Sequence, residues 1–122
     1  MSFIVHARRS LLAGSIALLV ACSSGEARQA QYLERALQHF SAGNFDKAMV
    51  ETKNVLQINS NNVDGRYLLA QLHEREQNWQ QMFANLQLVV DLDGKHIPAR
   101  IKLGQMLYAN AMYAEALAQA DA

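Results

Sequence analysis

One cysteine, one proline and one tryptophan are all of each that this chain of 122 residues contains. A lone Cys cannot form an intramolecular disulfide, so no covalent cross-link staples the fold. A single Pro and only six Gly leave little material for long loops, which suits helices joined by tight turns. Neither sign of charge is in excess, because 11 basic residues meet 11 acidic ones. That balance excludes the strongly basic face that a nucleic-acid partner favours. Catalytic and metal-binding patterns are missing too. Gly43, Gly65, Gly94 and Gly104 are scattered and build no phosphate loop. His73-Glu74 does not extend to the helical zinc motif, because Gln77 stands where the second His is needed. His96 sits beside Lys95 without an acidic or Cys companion, and Glu74 and Glu76, separated by Arg75, read as a solvated face. No cofactor and no enzymatic activity are expected.

What is present begins with a distinct N-terminal segment. Residues 1–10 carry Arg8 and Arg9 and no acid, and Leu11–Ala21 is an unbroken run of apolar and small residues. The run is too short for a comfortable membrane span of about 20 residues. It reads as the positive and apolar regions of a secretory signal. It ends in Leu19-Val20-Ala21-Cys22, and these four residues resemble a bacterial lipobox. The resemblance implies diacylglycerol on the Cys22 thiol, cleavage before it and acylation of the new amine. Acyl chains contribute about 0.8 kcal/mol per buried methylene, so two or more hold a soluble domain on a bilayer. Residues 1–21 are therefore expected to be a lipoprotein signal peptide and residues 22–28 a lipidated polar tether. Ser23, not Asp, follows Cys22, which by the same resemblance favours the periplasmic face of the outer membrane over the inner membrane. Without residues 1–21 the chain keeps 9 basic and 11 acidic residues, a net charge of −2.

Residues 29–122 repeat. Sliding the sequence by 34 positions puts Leu33 on Tyr67 and Ile101, Ala36 on Ala70 and Gly104, and Phe45 on Trp79 and Tyr113. Leu56 falls on Val90, and Ile58 on Leu92. Helical periodicity predicts six helices. The first covers about 27–41, through Leu33, Ala36, Leu37 and Phe40. Gly43 offers a left-handed cap. The second covers 45–58, with Ala48, Met49, Thr52, Val55 and Leu56 facing inward. Asn59-Ser60-Asn61-Asn62 supplies a turn and N-cap oxygens. The third and fourth cover 63–76 and 79–92. The fifth starts near Pro98, a residue tolerated in a first turn. The sixth starts near Tyr113.

A period of 34 with a small residue at Ala36, Ala70 and Gly104, an aromatic at Phe45, Trp79 and Tyr113, and Ala at 48 and 116 resembles the tetratricopeptide repeat. The resemblance implies an all-α, right-handed superhelix of antiparallel helix pairs, here about two and a half repeats: Gln29–Asn62, Val63–His96 and Ile97–Ala122. Three departures stand out. Met82 replaces the expected Ala, so the second pair should be spread or its Met folded aside. Arg35 faces Leu69 and Leu103 in register. The usual Pro near the end of each second helix is replaced by Ser60 and Gly94. His39 and His73 share a repeat position that is a structural aromatic slot in the family. The third repeat stops inside its second helix. Ala116, Leu117 and Ala120 would then lack cover, as in a fragment of a longer array or a chain that self-associates through this uncapped helix.

Tetratricopeptide arrays bind partners in a concave groove lined by the first helix of each pair. Carried over position by position, the groove here comprises Leu33, Leu37, Phe40, Tyr67, Gln71, Glu74, Arg75, Ile101, Gln105 and Tyr108. This apolar and aromatic strip suits an extended or helical peptide. The Lys, Asn and Arg clamp that holds a C-terminal carboxylate in chaperone-type members is not matched. The implied function is a membrane-anchored, non-catalytic interaction scaffold in the bacterial envelope. The stretch KNVLQINSNNVDGRYLLAQLHE is similar to the long repeat lipoproteins of exopolysaccharide and PEP-CTERM protein-sorting loci. The alternatives are a pilotin-like lipoprotein assisting secretin or pilus assembly, an accessory subunit of an envelope enzyme, or a truncated gene remnant.

Overall fold

The computed structural model describes the backbone of residues 7–110 and 113–121, and side chains from residue 24 onward except at 111–113, 116, 117 and 122. Six helices follow in order: α1 (Ala7–Ser41), α2 (Phe45–Ile58), α3 (Val63–Arg75), α4 (Trp79–Leu92), α5 (Ile97–Ala109) and α6 (Tyr113–Ala120). The starts of α2, α4 and α6 lie 34 residues apart, and so do the ends of α1, α3 and α5. The period read from side-chain type is thus also the period of the backbone.

The turns explain why. After α1, the Asn44 amide donates to the His39 carbonyl and the Gly43 amide to that of Phe40, with Gly43 at φ 78°. After α3, Asn78 donates to His73 and Gln77 to Glu74, with Gln77 at φ 57°. Both are Schellman closures, in which a left-handed residue turns the chain and satisfies the last helical carbonyls. Helices α3, α4 and α5 are each capped by a side chain, whereas Asn44 before α2 makes no such bond. Asn62 Oδ1 accepts from the Gly65 amide at 2.7 Å, and Asn78 Oδ1 from that of Gln81 at 3.3 Å. At α5 this position is His96, whose Nδ1 accepts from the Ala99 amide at 3.2 Å.

Packing is sequential. The hairpins α1–α2, α3–α4 and α5–α6 form the closest pairs, and α2 and α4 each pass the core on to the next hairpin. One cluster of buried residues joins Ala36 of α1, Ala48 of α2, and Leu68 and Leu72 of α3. A second joins Ala70 of α3, Met82, Leu86 and Val89 of α4, and Ala99, Leu103 and Leu107 of α5. Each core therefore needs the first helix of the following hairpin to complete it. Full burial of a leucine such as Leu68 or Leu103 contributes about 1.5–3 kcal/mol, so the neighbouring hairpin supplies much of each unit's stability.

Two expectations change. The first helix starts at Ala7 and not near Ala27, so the backbone of the segment expected as a tether is helical. Residues 22–28 contain no Pro and a single Gly, and extending an existing helix costs little. Met82 is not folded aside. It is buried in the second core, where an unbranched thioether side chain adapts to the space left between α3 and α5.

Candidate functional site

The ten residues expected to line the groove fall into three settings. On α1, Leu33 is half-buried and Leu37 is exposed, while Phe40 packs on the first core and meets Phe45 edge-on, centroids 5.5 Å apart. Arg75, the last residue of α3, lays its guanidinium over the Phe45 ring at 4.7 Å. Phe40, Phe45 and Arg75 therefore form one stack that ties α1, α2 and α3 together.

The middle setting is polar. Tyr67 is half-buried against the second core and its ring lies 4.7 Å from that of His96. Burial raises the Tyr67 phenol above its usual range; the Lys102 charge opposes this and the Glu74 charge adds to it. Glu74 Oε2 accepts from Lys102 Nζ at 2.6 Å, joining α3 to α5. Gln71 lies half-buried one turn before it on α3.

The third setting is open. Ile101, Gln105 and Tyr108 come together on α5 and, with Arg100, Gly104, Gln119 and Ala120, line a depression of about 300 Å³. Ile101 and Tyr108 are more than half exposed. One period earlier on α3 the setting differs: Tyr67, and Val63 and Ala70 at the positions of Ile97 and Gly104, pack against the core that α5 completes. The face that α3 buries under its neighbour is thus the face that α5 leaves accessible among the described residues.

The sequence reading missed a polar device that recurs with the repeat. Arg66 Nε donates to the Ser60 carbonyl at 2.7 Å and Nη1 to Asn85 Oδ1 at 3.2 Å. One period later, Arg100 donates to the Gly94 carbonyl at 3.2 Å and to the carbonyls of Ala118 and Gln119 at 3.1 and 2.7 Å. In both repeats an arginine binds a carbonyl six residues back and reaches across to the second helix of its pair. In the first repeat Arg35 plays the cross-helix part, with a two-pronged contact to Glu51 at 3.0 and 3.2 Å and its guanidinium 4.8 Å from the Tyr32 ring centroid. The signal was available, because Arg66 and Arg100 are 34 residues apart, but apolar periodicity does not register it.

Cys22 lies within α1, and its side chain lies outside the described residues. The same holds for the side chains of Tyr113, Ala116 and Leu117. Among the described residues no group of three or more His, Cys, Asp or Glu side chains could hold a metal ion, and no helix is long and apolar enough to cross a membrane.

No family model matches this chain, and no curated protein matches it in sequence. Its fold superposes on the solved structure of pilF from Pseudomonas aeruginosa with a TM-score of 0.67. The two are 20% identical, and the match covers 79% of this chain and 43% of that one. The chain thus spans under half the length of the structure it resembles. The fold is all-α and tetratricopeptide-like, a stack of antiparallel helix pairs.

Proposed function

We propose that the chain is a membrane-anchored, non-catalytic protein–protein interaction scaffold of the bacterial envelope. It takes a peptide or protein segment along the first helices of its hairpins. The observation that carries this reading is the stack of antiparallel helix pairs, whose first helices place Tyr67, Gln71 and Glu74 of α3 in register with Ile101, Gln105 and Tyr108 of α5. An aromatic and aliphatic strip of this kind, broken by amide side chains, can bury apolar side chains of a partner while pairing its backbone. Acyl chains on Cys22 would hold the module at the bilayer, on the periplasmic face of the outer membrane. Self-association through α6 is a second part of this reading. A place in an exopolysaccharide or protein-sorting system is the finer form of this reading.

Site-specific photo-crosslinking in living cells tests it. A photoreactive amino acid at Ile101 or Tyr108 should yield a discrete protein adduct. The same group at Val50, which is exposed on α2, should not. Equal labelling at both faces, or none at Ile101 and Tyr108, removes the groove from consideration. The anchor is tested separately by mass spectrometry of the mature N-terminus with and without globomycin. An unmodified Cys22 ends the membrane assignment and leaves the fold intact.

The second reading is a pilotin-like lipoprotein assisting secretin or pilus assembly, and the structural likeness to pilF favours it. Recovery of a secretin in the Tyr108 adduct would select it.

A further inference from the structure

Phe45 and Trp79 open α2 and α4 at the same point of successive repeats, yet their rings meet different surroundings. Phe45 is covered by the Arg75 guanidinium. The residue one period after Arg75 is Ala109, the last of α5. A methyl group cannot cover an indole. Trp79 is accordingly 55% exposed and has no ring or cation partner among the described residues. The space that Ala109 leaves open is a depression of about 400 Å³. Trp79, Met82, Met106 and Ala109 give it apolar walls, and Glu74 and Lys102 line its other side. Lys102 occupies only Oε2 of Glu74; Oε1 has no hydrogen bond among the described residues.

We propose that this depression binds an arginine side chain of a protein partner. The guanidinium would lie on the Trp79 ring as Arg75 lies on Phe45, supplying in trans the cover that the second repeat lacks. Tryptophan is the strongest of the aromatic cation acceptors. The methionines suit the arginine stem, since thioether side chains adapt to flexible apolar guests. Glu74 Oε1 provides the acceptor, and a planar guanidinium can stack on the ring and donate to the carboxylate at once, which an ammonium does less well. Because Glu74 and Gln105 also belong to the groove, the proposal rests on the reading that this side of α3 and α5 receives a protein partner, and it names the chemistry of one contact there.

The chain's only tryptophan is its own reporter. The indole N–H resonance of the isotope-labelled full chain in detergent is followed at low salt while N-acetyl-arginine amide is added. N-acetyl-citrulline amide, which has the same shape without the charge, serves as the control. The arginine amide should shift the resonance saturably, with an affinity about 2- to 30-fold above that of the citrulline amide, the range expected of a cation over an indole. Ala109→Arg, which supplies the guanidinium in cis, should abolish the response. If Ala109→Arg does not fold, Glu74→Gln carries the test, and the preference for arginine over citrulline should shrink. Equal binding of the two amides overturns the proposal. So does the absence of any saturable shift, an unchanged response in folded Ala109→Arg, or an unchanged preference in Glu74→Gln. The probe is a small amide, so its failure leaves the groove reading standing, and that reading falls only on the crosslinking result.

Discussion

Arg66 of α3 donates to the Asn85 side-chain oxygen of α4 across 3.2 Å, and Asn85 is almost fully buried. Asn85 in turn donates to the Gln81 carbonyl at 2.8 Å, so both ends of its amide are satisfied inside the hairpin. Replacing Arg66 with Met keeps an apolar stem and removes the donor. The stranded Asn85 oxygen should cost about 1–3 kcal/mol, the usual penalty for a buried acceptor without a partner. Urea denaturation would measure it. The double variant Arg66→Met/Asn85→Leu should recover part of the loss, because it removes the orphan as well as the bond. Arg35→Ala makes the contrast: the Arg35–Glu51 pair is at the surface, and its loss should leave the unfolding midpoint unchanged at moderate salt.

Gln77 holds the left-handed conformation that Gly43 holds one repeat earlier. A side chain at positive φ brings Cβ against the following carbonyl, whereas glycine takes this region freely. Gln77→Gly should therefore raise stability by about 1 kcal/mol, less what the more flexible unfolded chain takes back. Gly43→Ala should lower stability by a similar amount. Paired thermal melts of the two variants check the sign. Should both changes destabilise, the turn after α3 is not the Schellman closure described.

The raised titration of Tyr67 fixes a direction for alkaline pH. Burial favours the neutral phenol, so above about pH 10 the unfolded chain has lost a proton that the folded chain still holds. The unfolded state then binds fewer protons, and stability falls as pH rises through that range. Below it the group contributes nothing to pH dependence. Tyr67→Phe should remove this part of the alkaline loss, visible as a shallower fall in denaturation midpoint between neutral pH and the alkaline range than in the parent chain. The difference between the two slopes isolates Tyr67 from every group that the two chains share.

The repeat was legible because its signals are local. Gly43, the Asn44 and Asn78 positions, and the apolar residues of each helix mark the turns and inward faces without reference to distant sequence. The helix bounds follow from them to within a residue or two from α2 onward. What could not be read was anything set by two residues far apart in the chain. The cover of Phe45 is decided by Arg75, and the exposure of Trp79 by Ala109, each about 30 residues away. The arginine clamps likewise join a helix to a turn behind it and a helix ahead. The site suffers most, because groove positions carried over from a repeat pattern do not say which are roofed by a neighbour. Tyr67 and Ile101 share a register, yet one packs under α5 and the other faces outward.

The two separate cores predict how damage spreads. Leu103 is fully buried in the cluster that joins α3, α4 and α5, and it touches none of the cluster that joins α1 and α2 to Leu68 and Leu72. Leu103→Ala should cost about 2–5 kcal/mol through lost burial and the cavity left behind. In a stack where each unit contacts only its neighbours, that loss stays local. Amide hydrogen exchange should therefore lose protection in α5 and α6 first and in α4 partly, while α1 and α2 keep the protection of the parent chain. Leu72→Ala, in the first core, should show the reverse order. Uniform loss of protection in both variants would mean a single cooperative core, and the division of the molecule into hairpins that complete one another would be wrong.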